Sequence, residues 1–308
     1  VDPLTVIPVS YETKVVAMEP VVTVGLDGSP ESLAAAHWAA DEAERRRLSL
    51  RLLHAWPLLA PEPPRAPAEV DQNYWAKRIV HNARAELQAS HPGLSIVGNL
   101  VAEDAQDALL QAASESEMTV LGSRGIGAVG SYFLGDISMP VVARADRPVV
   151  LVRAETREAG SRPAPGKAGG VVVALKLHGP SDDLLEFAFV SAAARGVPLR
   201  AVHGRSLPLH AHVPWGTDHA VTEEITQDAQ KHLSLALRPW REKFPGVEVE
   251  DHVALESPAK AVMQAADGAG LLVVGRRKHV PGPAPRLGPV TQAAAHHARC
   301  PIAVVPHD

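Results

Sequence analysis

Two stretches of this 308-residue chain carry glycines at a spacing suited to phosphate chemistry. In VLGSRGIGAVGSYFLGDIS, Gly122 is followed after two residues by Gly125 and after nine more by Gly135, with Gly127 between them. In VVGRRKHVPGPAPRLGPVT the outer glycines recur as Gly275 and Gly288, 153 residues on, but Lys278 stands where the middle one would be. Glycine lets backbone N–H groups approach an anion closely or turn with positive φ, and a helix starting after Gly135 adds partial positive charge. The first stretch therefore reads as a working phosphate pocket and the second as a lapsed copy. Asp27 and Gly25, in VVTVGLDGSP, end an expected strand, where a carboxylate suits hydrogen-bond donors of a base or ribose. Ser123, Ser138 and Arg124 add donors near the glycines, although Arg124 reads equally as a solvated loop residue.

The residue after Gly135 is Asp136. A carboxylate about 4 Å from a phosphate costs up to about 4 kcal/mol at an effective dielectric near 20, enough to cancel much of a micromolar affinity. Bound Mg²⁺ or Mn²⁺ would offset that cost. Asp136 reads equally well as a helix N-cap. Neither GxGxxG in the first βα turn nor GxxxxGK[ST] is present, which disfavours a dinucleotide fold of the usual kind and a P-loop.

Other constellations carry less. His210, His212 and His219 have metal-like spacing but no defined fourth ligand. Ser29 and Ser123 have no His and carboxylate to place beside them, so no hydrolase triad is supported. Asp182 and Asp183 look like a helix start, and His296 and His297 sit where a helix C-terminus favours cations. Cys300, the single cysteine, reads as a small apolar residue opening a strand, in keeping with a reducing compartment. In the second copy Lys176 faces the place of Asp27, so this half reads as a structural partner. Arg276, Arg277 and Lys278 either hold an anion or form a solvated face.

The elements that must position these residues alternate. Strand-like VVTVG, LSLRLLHAW, LSIVGNLVA, MTVLG and RPVVLVR are separated by helical stretches over ESLAAAHWAADEAERRR, DQNYWAKRIVHNARAELQAS and DAQDALLQAASES, and one beginning near Asp136. Asp104 sits near a cap. The same order recurs from GGVVVALKL to CPIAVV, with helices expected over 217–243 and 290–298, and Pro148 and Pro301 share the 153-residue offset. Such alternation calls for mostly parallel sheets covered on both faces. Residues 154–169, rich in Pro, Gly, Ala and charge, read as a linker between domains at 20–153 and 170–308, and residues 1–19 as an arm.

Composition bounds the function. With 46% apolar and 21% charged residues the chain is a globular type, and a net charge of -5 gives no basic field for nucleic acid or a membrane surface. No apolar stretch reaches a membrane-spanning length and no basic-then-apolar leader is visible, so a cytoplasmic protein is expected.

VGLDGS, GSRG, the nine-residue gap, Gly135 and a closing strand from Pro148 together resemble the universal stress protein family in its tandem-domain actinobacterial form. The likeness covers residues 20–153 well and 170–306 more loosely. It implies two Rossmann-like domains of the adenine nucleotide alpha hydrolase type, each a five-stranded parallel sheet of order 3-2-1-4-5. It implies an adenine nucleotide, ATP in many members, with Asp27 and Gly25 toward adenosine and Gly122, Gly125, Gly127 and Gly135 toward ribose and phosphates. The family pattern wants Ser or Thr at Asp136 and often Arg at Tyr132, and both departures count against tight triphosphate binding. The expected role is a non-enzymatic, nucleotide-responsive stress or dormancy factor. Loss of binding with action through protein contacts, and slow ATP hydrolysis, are the alternatives. Expected partners are the nucleotide, the second domain in a pseudo-twofold pair, a second copy in a homodimer and an unidentified protein.

Overall fold

The computed structural model describes residues 20–56, 72–123, 137–154, 169–207, 212–213, 216–217, 219–278 and 287–308. The expected arm, most of the expected linker, and Arg124, Gly125, Gly127, Tyr132, Gly135 and Asp136 lie outside these residues.

The first half runs β1 (Val21–Gly25), α1 (Pro30–Arg46), β2 (Ser49–Ala55), α2 (Gln72–Ser90), β3 (Ile96–Val101), α3 (Ala105–Ser114), β4 (Met118–Ser123), α4 (Ser138–Arg144) and β5 (Val149–Arg153). The second runs β6 (Val171–Ala174), α5 (Asp182–Arg195), β7 (Leu199–Gly204), β8 (His212–Val213), β9 (Gly216–Thr217), α6 (His219–Lys243), β10 (Val249–Ala254), α7 (Pro258–Ala265), β11 (Leu271–Arg277), α8 (Pro289–His297) and β12 (Ile302–His307). Only the short antiparallel pair β8–β9 has no counterpart among the elements expected from the sequence.

α1 shows why these residues fold as they do. Ser29 caps it by accepting from Ser32 N at 3.1 Å, Pro30 opens the first turn, and Arg45 and Arg46 lie in the last. Ala35, Ala36, Ala39, Ala40 and Ala43 are fully buried, a small-residue face that lets the helix lie close on the sheet. Asp104 caps α3 as its position suggests, accepting from Gln106 N and Asp107 N. Asp182 and Asp183 fall in the first turn of α5, and His296 and His297 in the last turn of α8.

The strands form one ten-stranded sheet, β10-β7-β6-β11-β12-β5-β4-β1-β2-β3. Within each half the order is 3-2-1-4-5 and pairing is parallel. The fifth strands β5 and β12 meet antiparallel, Leu151 opposite Ile302 and Val149 opposite Val304. One apolar core lies under α1, α2, α5 and α6, and a second, on the opposite face, under α3, α4, α7 and α8; both run through the two halves. The halves therefore share their cores as well as a sheet.

Polar contacts also cross the seam. Glu42, with no exposed surface, accepts from Arg46 Nε and from the second half's Arg195, each at 2.7 Å. Arg195 lies over the Trp38 ring and Arg46 over Phe187, while Arg46 donates to Ser191 Oγ at 2.8 Å. Burial pushes the Arg195 pKa down, and Glu42 acts the other way. On the opposite face Arg153 donates to Ala295 O at 3.0 Å, and Arg276 donates to Ala145 O.

Candidate functional site

A parallel α/β sheet offers ligands the carboxyl ends of its strands, at the point where strand order reverses. Here β1 lies between β4 and β2, and a cavity of about 420 Å³ opens at the ends of those three strands. That volume lies in the range of small-molecule sites. Of the residues expected from the sequence, Gly25, Asp27, Gly122 and Ser138 meet in its wall. Ser123 lies outside that wall, 3% exposed, with no partner for its Oγ.

Asp27 sits in a tight turn. Its Oδ1 accepts from Ser29 N at 2.9 Å and Ser29 Oγ at 2.5 Å, and its own N–H meets Ser32 Oγ at 3.4 Å. Gly28, at φ +82°, makes the reversal, a conformation that side chains with a Cβ rarely adopt. The turn therefore fixes Asp27 and caps α1 with the same residues.

Gly122 has a packing reason for being glycine. A Cβ there would lie 2.6–2.7 Å from Glu31 C and O and Ser32 N, the backbone of the first turn of α1. The close approach it permits is first to a helix, and the cavity forms beside that contact. Ser138 Oγ meets Gly122 O at 3.5 Å and ties the start of α4 to the same point.

Sequence reasoning passed over His54. Its Nδ1 lies 2.7 Å from Leu26 O, and since a carbonyl only accepts, Nδ1 carries the proton. In the neutral ring Nε2 is then an acceptor, and the imidazole stacks on Trp56 at 6.2 Å. A signal for it existed: LHAW and AVHG end matching strands, and His203 repeats the contact with Leu175 O at 2.9 Å. Glu31 also lines the cavity, so its described wall holds two carboxylates and no Lys or Arg.

The second half is built on the same frame with other contents. The paired His–Leu contacts put Lys176 in the place of Asp27, as the sequence suggests. A Cβ on Gly275 would meet the His307 ring at 2.5 Å, where the one on Gly122 would meet the backbone of α1. Lys278 pairs with Asp183 at 3.3 Å, and Arg276 is buried against the seam. Burial lowers the His203 pKa; its bond to Leu175 raises it and nearby Arg205 and His178 lower it further.

The remaining candidates gain no site. His210 lies outside the described residues, and among those described no three His, Cys, Asp or Glu side chains gather to hold a metal. Cys300 is buried, which pushes its thiol up to about 11. No described helix is long and apolar enough to cross a membrane.

Comparison with known proteins agrees with the doubled architecture. The model of the universal stress protein family matches residues 19–153 and again 169–306. A universal stress protein of Mycobacterium tuberculosis is 33% identical over 293 residues, covering 92% of this chain and 96% of that one. A second from the same species is 30% identical over 315 residues, covering 93% and 96%. Among solved structures, a universal stress protein from Archaeoglobus fulgidus has the same fold at a TM-score of 0.63 and 16% identity, over 94% of this chain and 98% of that one. With two matches that together span nearly all of the sheet, the chain belongs to the universal stress protein family.

Proposed function

We propose that the first half binds an adenine nucleotide of low phosphate charge, and that the protein acts as a nucleotide-responsive stress factor whose second half completes the fold. The observation that carries this reading is the cavity at the ends of β1, β2 and β4, with Asp27 and His54 in its wall. A carboxylate and an imidazole nitrogen that accepts favour a base carrying an amino group over one carrying a carbonyl at the same place. Asp27 and Glu31 place two carboxylates in the wall, which favours adenosine or a monophosphate over ATP. Magnesium would serve a triphosphate, held chiefly by its phosphate oxygens.

Binding rather than turnover is the proposed role. Ser29 Oγ donates to Asp27, and among the described residues no serine of the wall hydrogen-bonds to His54, so the wall shows no paired nucleophile and base. Calorimetric titration with adenosine and guanosine tests the reading. Adenosine should bind at least tenfold more tightly, and absence of adenosine binding would refute it.

A further inference from the structure

We propose that the outer edge of β3, flanked by a basic side of α2, takes up an extended acidic segment of a partner protein as an added strand. The inference is independent of the nucleotide reading and concerns the end of the sheet farthest from the seam on the first half's side.

β3 ends the sheet, and among the described residues no strand pairs with its outer edge. Leu50 N donates to Ser95 O and Trp56 N to Val101 O, so the odd-numbered residues of this stretch turn their backbone groups to β2. Alternation points the N–H and C=O of Ile96, Gly98 and Leu100 outward. Such a row of donors and acceptors is a template for another strand.

The two ends of the sheet differ. β10, the edge strand of the second half, has the same six-residue length and carries Glu250, Asp251 and His252 where β3 has Val97, Gly98 and Asn99. Glu250 pairs with Arg200 of β7, and Asp251 with Arg241 of α6. Charges on an edge strand keep other chains off, and β3 has none. A Cβ on Gly98 would lie 2.9 Å from Val80 of α2, so Val97 takes the face away from that helix, where it is 55% exposed.

Charge says which segment fits. α2 buries Ala76, Val80, Ala83 and Leu87. On one flank of that stripe Ile79 faces Gly28 and Glu86 meets His37 of α1. Helical geometry puts Lys77 and Arg84 on the opposite flank, beside the free edge, and both are exposed. A strand added about 4.8 Å outside β3 would have one set of side chains toward Lys77 and Arg84 and the alternate set beside Val97. Carboxylates suit the first set and apolar side chains the second, while main-chain pairing supplies the attachment. A second copy of β3 fits poorly, because it brings its own Lys77 and Arg84 against these.

Fluorescence anisotropy of a labelled peptide alternating Glu and Val, titrated with the full chain, tests the docking. This peptide should bind, and one alternating Lys and Val should bind at least tenfold more weakly. Methylating the peptide's backbone nitrogens should abolish binding. The double variant Lys77→Gln, Arg84→Gln should weaken the Glu-Val peptide about tenfold. Val97→Glu, on the other face of β3, should weaken it severalfold and keeps the test available if the helix variant folds poorly. No binding of the Glu-Val peptide, equal binding of the Lys-Val peptide, indifference to methylation, or an affinity unchanged in both variants would overturn the proposal. So would a wild-type dimer in sedimentation that Val97→Glu dissociates, because a second copy would then hold the edge.

Discussion

Asp27 holds a turn with the carboxylate that the proposed function also turns to the ligand. Its Oδ1 holds the Ser29 turn, and Asn keeps that oxygen while removing the charge. The Asp27→Asn protein should therefore melt close to the wild type, and ATP should gain about fivefold relative to adenosine, the size expected for an exposed charge. An unchanged ratio by calorimetry would remove Asp27 from the phosphate selectivity. Cys300 gives a prediction of a different kind. Burial raises its pKa from 9.0 to about 11, because the folded interior favours the neutral thiol. Its share of stability is fully present below pH 9 and is lost as pH rises toward 11, since the unfolded chain gives up the proton first. The stability difference between wild type and Cys300→Ala should thus fall by roughly 2–3 kcal/mol across that range, as read from urea unfolding.

At the scale of elements, the meeting of β4 with α1 decides the shape of the cavity. A methyl group at Gly122 would collide with the backbone of Glu31 and Ser32, which cannot turn aside as a side chain can. Gly122→Ala should cost about 1–3 kcal/mol in denaturant unfolding. Gly275→Ala meets side chains alone, the His307 ring and, at ordinary contact distance, Leu184, and should cost less; the reverse ranking would contradict this account of the two glycines. The comparison also shows what the sequence could convey. The alternation of apolar runs and helical stretches is local, and so is the cap at Asp104, so both were legible. The spacing of Gly122 signalled that room was needed, but whether ligand or helix takes that room depends on where α1 lands. His54 was hidden for the same reason: its partner, Leu26 O, lies just past the end of the neighbouring strand β1. Lys176 could be matched to Asp27 only loosely, because the halves are offset by 149 residues at Leu26 and Leu175 but by 153 at Gly122 and Gly275.

At the scale of the molecule, the two halves are joined by more than the β5–β12 pairing. Positions 149 residues apart exchange contacts across the seam: Arg46 reaches Ser191 and Phe187, while Arg195 reaches Glu42 and Trp38. Charge breaks the symmetry where Glu42 stands at the position matched by Ser191 and balances the guanidinium groups gathered there. Removing the only fully buried carboxylate of this cluster leaves buried cations behind, so Glu42→Ala should cost about 3–5 kcal/mol. Ser191→Glu should recover part of that loss in the double variant, measured as a coupling energy in urea unfolding; strict additivity would show that the position acts by packing alone. Shared cores and this clamp suit a second half retained for structure, and that assignment fixes the stoichiometry of the proposed function. Calorimetric titration of the full chain with AMP and ATP is the most direct test. One AMP per chain, bound more tightly than ATP, is the predicted result; no binding, two equal sites per chain, or a preference for ATP would contradict it.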